Sequence, residues 1–133
     1  MKRLLLGTCI TVTMAVTAVA CGGDAAPTTE GTAAGQSAAA AMGERLSRSQ
    51  GCAGCHGTNF EGGAGPGWIG LAGSEVVLAD GTVVVADDEY LTVAIADPNA
   101  QLREGYTLRM PANNLTDAEI ADIVAYINSL ADG

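Results

Sequence analysis

The sequence predicts a mainly α-helical domain interrupted by one small β-hairpin, and three observations predict it. Thr116-Asp117-Ala118-Glu119 has the pattern in which a threonine and a glutamate three residues on cap each other's backbone N–H at a helix start. Ile120, Ile123, Val124, Ile127 and Leu130 then recur along one helical face. Asp80-Gly81 stands between the β-branched stretches 75–79 and 82–85, a strong hairpin signal. No alternation of strands and helices follows, so a parallel sheet is not expected.

The elements follow in chain order. Met1-Lys2-Arg3 is basic, 4–20 is apolar apart from small hydroxyls, and small residues precede Cys21. That order is the three-part layout of an export signal, with an uncleaved anchor as the other reading, although the run is short for a membrane span. Residues 22–42 are small and polar or weakly apolar, with no aromatic, and read as a flexible tether; Ala38 to Met42 have the composition to begin a helix. The expected organisation is a signal over 1–20, a linker over 21–42 and a folded domain over 43–133.

Within the domain, Gly43 to Gln50 should form a short helix. After the hairpin, Asp87-Asp88-Glu89 places negative charge where a helix N-terminus favours it, and that helix should end before Pro98. The acidic triplet is read as capping and solvation rather than as a metal site or an acid/base pair. Asn99 to Leu102 is expected to add a turn of helix. Asn114-Leu115-Thr116 matches a glycosylation triplet, but the helix cap explains it better.

Composition narrows the function. The domain holds thirteen acidic residues against four arginines and no lysine, and the whole chain carries a net charge of -9. With so little to neutralise phosphates, nucleic-acid binding is not expected. The acidity favours solubility and can steer a basic partner surface. One Trp, one Phe and three Tyr are few for a core of about ninety residues, so a large apolar cofactor would supply what the side chains lack.

Gly51-Cys52-Ala53-Gly54-Cys55-His56-Gly57 identifies that cofactor. Two thiols and one histidine, all adjacent, cannot surround a tetrahedral zinc ion, and the domain has no second cluster to complete one. A thioredoxin-type dithiol belongs beside a strand and helix in an alternating fold, which is missing here. Cys-x-x-Cys-His is the attachment motif of c-type haem: two thiols bond one edge of the porphyrin and the next imidazole reaches the iron. Export agrees with a haem attached outside the cytoplasm. One haem c, covalently bound through Cys52 and Cys55 with His56 on the iron, is the expected cofactor.

The sixth ligand follows by elimination. No second histidine exists, and Lys2 lies in the signal. Met1 and Met14 are in the signal too, and Met42 stands at the linker junction, which leaves Met110 in Tyr106-Thr107-Leu108-Arg109-Met110-Pro111. A soft thioether favours ferrous iron and raises the reduction potential. Two side-chain ligands also close the iron to substrate, which favours an electron carrier over an enzyme.

Gly65-Pro66-Gly67-Trp68-Ile69-Gly70 matches a dinucleotide-binding pattern formally, but proline occupies the turn and no strand precedes it. A tight loop beneath the proximal histidine is the better reading. Such a histidine usually donates its outer N–H to a fixed acceptor, and the Pro66 carbonyl is the candidate. Trp68 is read either as packing on the haem edge with its indole N–H on a propionate, or as a plain core aromatic.

Residues 43–130 resemble class I monohaem cytochrome c, and more closely the cytochrome c domain fused to subunit II of caa3-type oxidases. The resemblance is carried by GCAGCHGTNFEG, GPGWIGLAGSEVVLADGTVVVADDEY, IADPNAQLREGY and MPANNLTDAEIADIVAYINSL; the hairpin draws it toward the oxidase branch. It implies a class I cytochrome c fold, with helices around a covalently bound haem. It also implies Cys52 and Cys55 as thioether anchors, His56 and Met110 as axial ligands, and Pro66 as backbone acceptor. The chain lacks the copper domain and helical membrane hairpin of such a subunit. Ser47 stands where the family often has a large aromatic, which weakens the usual contact with Tyr126 or moves it to Leu46.

Ala18-Val19-Ala20-Cys21 resembles the lipobox of bacterial lipoproteins, with Ala18 where leucine is commoner; it implies acylation of Cys21 and a membrane tether facing the periplasm or extracytoplasmic space. The expected function is one-electron transfer in a respiratory chain, from a quinol-oxidising complex to a terminal oxidase. The alternatives are a haem enzyme or gas sensor with a displaceable sixth ligand, a haem subunit of a dehydrogenase complex, and an assembly lipoprotein stapled by haem.

Overall fold

The computed structural model describes residues 36–132. The signal, Cys21 and most of the linker lie outside the described residues. The order of elements is α1 (Ala38–Ser49), α2 (Ala53–His56), β1 (Glu75–Val77), β2 (Val83–Val85), α3 (Asp88–Ala96) and α4 (Asp117–Ser129). Among the described residues the fold is mainly α-helical with one two-stranded antiparallel hairpin, the class the sequence predicts.

α1 begins inside the stretch whose composition suggested a tether. The Ser37 hydroxyl accepts from the Ala40 N–H at 3.1 Å, which caps the helix, and four consecutive alanines favour it locally. Small side chains do not prevent burial here. Ala40, Gly43 and Ser47 share one face, are buried, and let α1 lie close against α4. The Ser47 hydroxyl, fully buried, donates to the Gly43 carbonyl at 2.7 Å, so the position expected to be aromatic holds a satisfied small polar group.

α4 forms as its sequence predicts. Thr116 Oγ1 accepts from the Glu119 N–H at 3.3 Å, and Glu119 Oε2 accepts from the Thr116 N–H at 2.8 Å. The Thr116 N–H and hydroxyl both donate to this carboxylate and lower its pKa from the usual value. Ile120, Ile123, Val124, Tyr126 and Ile127 are buried, and Leu130 packs partly buried at the edge of the same core. α3 is capped by Asp87, whose carboxylate accepts from the Tyr90 N–H at 2.9 Å. Asp88 accepts from the Asn128 side chain at 2.8 Å, tying α3 to α4. α3 ends at Ala96, before Pro98. The helical turn expected over 99–102 does not form: a single turn closes at Ala100 N–H to Asp97 O, and the chain then passes into a bridge at Arg103.

The hairpin is shorter than the β-branched stretches that announce it. Its register pairs Glu75 with Val85, Val76 with Val84 and Val77 with Val83. Leu78 and Thr82 close a three-residue loop, Ala79-Asp80-Gly81, in which Gly81 takes φ 85°. That left-handed position is why glycine follows aspartate there. The register leaves Ala79 in the turn, and its N–H points away from β2 to donate to the Leu102 carbonyl at 2.8 Å. The Glu104 N–H donates to the Val77 carbonyl at 2.9 Å, so 102–104 lies along the other edge of β1.

The aromatic centre comes from a loop. Phe60 is fully buried, with its ring stacked on Trp68 at 4.4 Å and 11° and met edge-on by Tyr126 at 5.3 Å. Tyr126 thus finds its aromatic neighbours in Phe60 and Trp68, while Leu46 packs partly buried on the same core. Phe60 is the one non-glycine residue with positive φ (61°) among the described residues. That conformation costs about 1–2 kcal/mol. Two aromatic pairs at about 0.5–1.5 kcal/mol each, on top of complete burial of a phenyl ring, outweigh it.

Candidate functional site

α1 delivers the chain to the two cysteines. The Cys52 N–H donates to the Ser47 carbonyl at 2.9 Å, and the His56 N–H to the Cys52 carbonyl at 3.0 Å, so Cys52, Cys55 and His56 sit on one tight turn. Both thiols are free and partly exposed. Burial pushes the Cys52 thiol up in pKa, with the neighbouring Cys55 adding to the shift, so it is held protonated at neutral pH.

The segment after His56 folds back beneath it. The Gly62 N–H donates to the His56 carbonyl at 2.8 Å, and the Gly65 N–H to the Cys55 carbonyl at 2.9 Å. At Gly65 an added Cβ would come within 3.1 Å of the His56 ring, so the backbone there passes close under the imidazole. Next in sequence, the Pro66 carbonyl lies 2.7 Å from His56 Nδ1. A carbonyl can only accept, so Nδ1 carries the proton and donates, which leaves the Nε2 lone pair free. His56 is 9% exposed; burial lowers its basicity and the Pro66 bond opposes that shift in part. The ring is therefore neutral and oriented, the state in which an imidazole binds a metal ion. Gly65 to Gly70 forms this loop, and no strand precedes it.

His56, Cys55, Trp68 and Met110 all line two adjoining hollows, which hold about 1010 and about 1000 Å³ of atom-free space, part of it open to solvent. Cys52 lines one of them and Pro66 the other. Leu71, Leu91, Ala94, Ile95 and Ile127 make the first wall largely apolar. Gln101, Arg103 and Arg109 add polar groups, and Gln101 Oε1 is the buried side-chain polar atom without a partner among the described residues. Trp68 is 5% exposed, its ring 5.0 Å from His56 and stacked on Phe60. Met110 is partly buried in an irregular stretch between the bridge at Arg103 and the cap of α4.

All six residues singled out from the sequence around the haem motif are thus gathered at one cleft. Two others went unnoticed. Phe60 has a weak signal: it is the single phenylalanine, set in a glycine-rich stretch. Gln101 has none, because only the fold brings it to the cleft. Among the described residues no cluster of three or more His, Cys, Asp or Glu side chains is placed to hold a metal ion.

The cleft fits a covalently attached porphyrin on its own terms. It offers apolar walls, two free thiols at one end, a neutral imidazole, a thioether, and a polar amide left without a partner. The protein-family model described as cytochrome c matches residues 40–131. No curated protein matches the chain.

Proposed function

The chain belongs to the cytochrome c family, and on that premise we propose that it is a membrane-tethered monohaem carrier passing single electrons to a terminal oxidase. A cytochrome c domain is capable of electron transfer, and haem c is the cofactor the family implies. When bound, haem c supplies a one-electron ferric/ferrous couple. Cys52 and Cys55 would anchor it by thioether bonds, and His56 and Met110 would ligate its iron. The observation that carries this reading is the Pro66 carbonyl on His56 Nδ1, with Met110 on the walls of the same cleft.

The residues divide the work. Pro66 fixes which imidazole nitrogen is free, and Gly65 keeps the backbone close enough to do so. The apolar walls exclude water, so the site reorganises little between charge states. Met110 favours the reduced state and fills the position that an enzyme or gas sensor needs open. The hairpin ahead of α3 supports the likeness to oxidase-associated domains, and through it a terminal oxidase as acceptor and a quinol-oxidising complex as donor. The net charge of -9 suits an encounter with basic partner surfaces.

A redox-titrated visible spectrum of the purified holoprotein, with and without carbon monoxide, tests the carrier reading. We expect one reversible one-electron transition and a ferrous spectrum that carbon monoxide leaves unchanged. Ready carbon monoxide binding by the reduced protein would instead support the enzyme or sensor. The tether rests on Cys21, which lies outside the described residues. Among the described residues no helix is long and apolar enough to cross a membrane. Mass spectrometry of detergent-extracted protein is expected to find Cys21 acylated as the first residue; a retained signal or a bare thiol there rejects the lipid anchor.

A further inference from the structure

We propose that Phe60 is a positioning residue for His56, acting through Trp68 to hold the imidazole on the Pro66 carbonyl. The inference rests on His56 being an axial ligand, and it concerns what keeps that ligand in place.

The geometry is a column of rings. Trp68 lies 5.0 Å from His56 at 43°, Phe60 stacks on Trp68 at 4.4 Å and 11°, and Tyr126 meets both edge-on. Trp68 follows Pro66 by two residues, so whatever fixes the indole also fixes the carbonyl that His56 donates to. Phe60 fixes it twice. Its ring covers the indole face, and its backbone carbonyl accepts from the Trp68 backbone N–H at 2.8 Å. The 57–68 loop is therefore closed at Phe60 and Trp68, with Gly65 and Pro66 held in the arc between them.

Phe60 is itself fastened from outside. The Arg48 guanidinium lies 5.3 Å from the Phe60 ring centroid and donates to the Thr58 carbonyl at 2.9 Å. Glu44 holds Arg48 in place from one turn earlier in α1. The left-handed backbone at Phe60, φ 61°, is what brings its ring onto the Trp68 indole. Fully buried Ser47 on α1 leaves this centre to a ring from the loop. The aromatic that steadies the helix pair is thereby the same one that steadies the ligand loop.

Proton exchange reads this directly. In the ferric holoprotein the His56 Nδ1 proton should appear as a strongly shifted, exchangeable resonance whose exchange reports opening of the Pro66 bond. Phe60→Leu keeps an apolar side chain but loses the stack. It is expected to speed Nδ1 exchange by about tenfold relative to amides in α4, which report global opening. Phe60→Tyr should restore the wild-type rate. Arg48→Gln, an exposed change that leaves the core intact, should speed exchange in the same sense by a smaller factor. Unchanged Nδ1 exchange in Phe60→Leu, with only the melting temperature lowered, overturns the proposal. Should Phe60→Leu fail to fold, unchanged exchange in Arg48→Gln overturns it equally. A wild-type protein with no shifted imidazole resonance would sink the ligand assignment of His56 instead, and that failure is distinct.

Discussion

Met110→Ala is expected to leave haem covalently attached while lowering the reduction potential and removing the weak absorption of a ferric iron–sulfur bond. On the proposed reading attachment depends on Cys52 and Cys55, which sit on the α2 turn and, among the described residues, share no backbone hydrogen bond with the Met110 stretch. The potential would depend on Met110, the proposed sixth ligand, which lines the same cleft as His56. Replacing a thioether by water or hydroxide trades a soft ligand for a hard one, which favours the ferric state. Axial ligands span roughly 0.8 V across haem proteins, so the fall should be a sizeable part of that range and easily exceed titration error. On the proposed ligation the same variant should bind carbon monoxide when reduced, since it lacks the Met110 thioether. Potentiometric titration followed in the visible and far-red measures both effects. A variant with an unaltered spectrum and potential would remove Met110 from the site and return the sixth position to an open question of ligand identity.

That Met110 can be singled out at all is a matter of arithmetic, since every other methionine, histidine and lysine is accounted for elsewhere in the chain. Local chemistry made other features legible in the same way. The α4 cap and stripe are properties of neighbouring residues, and Asp80-Gly81 declares its turn without help. His56 and Pro66 are readable because the motif sets one partner and the Gly65-Pro66-Gly67 turn suggests a loop beneath it for the other.

What sequence patterns did not convey depends on distant partners. The Ala79 N–H meets the Leu102 carbonyl on the edge of β1 away from β2, and nothing near residue 79 announces that. The start of α1 at Ala38 is legible in the alanine run, but the burial of its small residues is not. Ala40 and Gly43 become buried through close approach of backbones, which small residues allow rather than prevent. Ser47 signalled that an aromatic was missing from α1, yet its replacement, Phe60, arrives from a loop by way of a backbone conformation that local rules discourage. The close approach of α1 to α4 leaves no room for a side chain at Gly43.

Gly43→Ala is expected to destabilise the protein by about 2–3 kcal/mol, and Gly43→Val by more, although alanine is the better helix former. Gly43 lies in mid-helix with no unusual backbone, so propensity alone favours alanine by roughly 1 kcal/mol. Packing opposes it. A Cβ at this position would overlap the Asp122 carbonyl and come within 2.9 Å of Ile123 Cα, both of them backbone atoms of α4. A side chain in the way could turn aside, but a helix backbone can only move as a body. α1 would then have to lift off α4, exposing Ala40 and Ser47 and loosening the contacts of Ile123, which is 1% exposed. The displacement does not stop at the helix pair. The Ser47 carbonyl accepts from the Cys52 N–H, so a shifted α1 carries the first cysteine with it. Reduced yield of covalently attached haem should therefore accompany the lower denaturation midpoint of the holoprotein. Denaturant titration beside a haem-staining assay measures the two together. If Gly43→Ala proved as stable as the wild type, the backbone contact between α1 and α4 would be looser than described, and the account of how small residues bury α1 would fall with it.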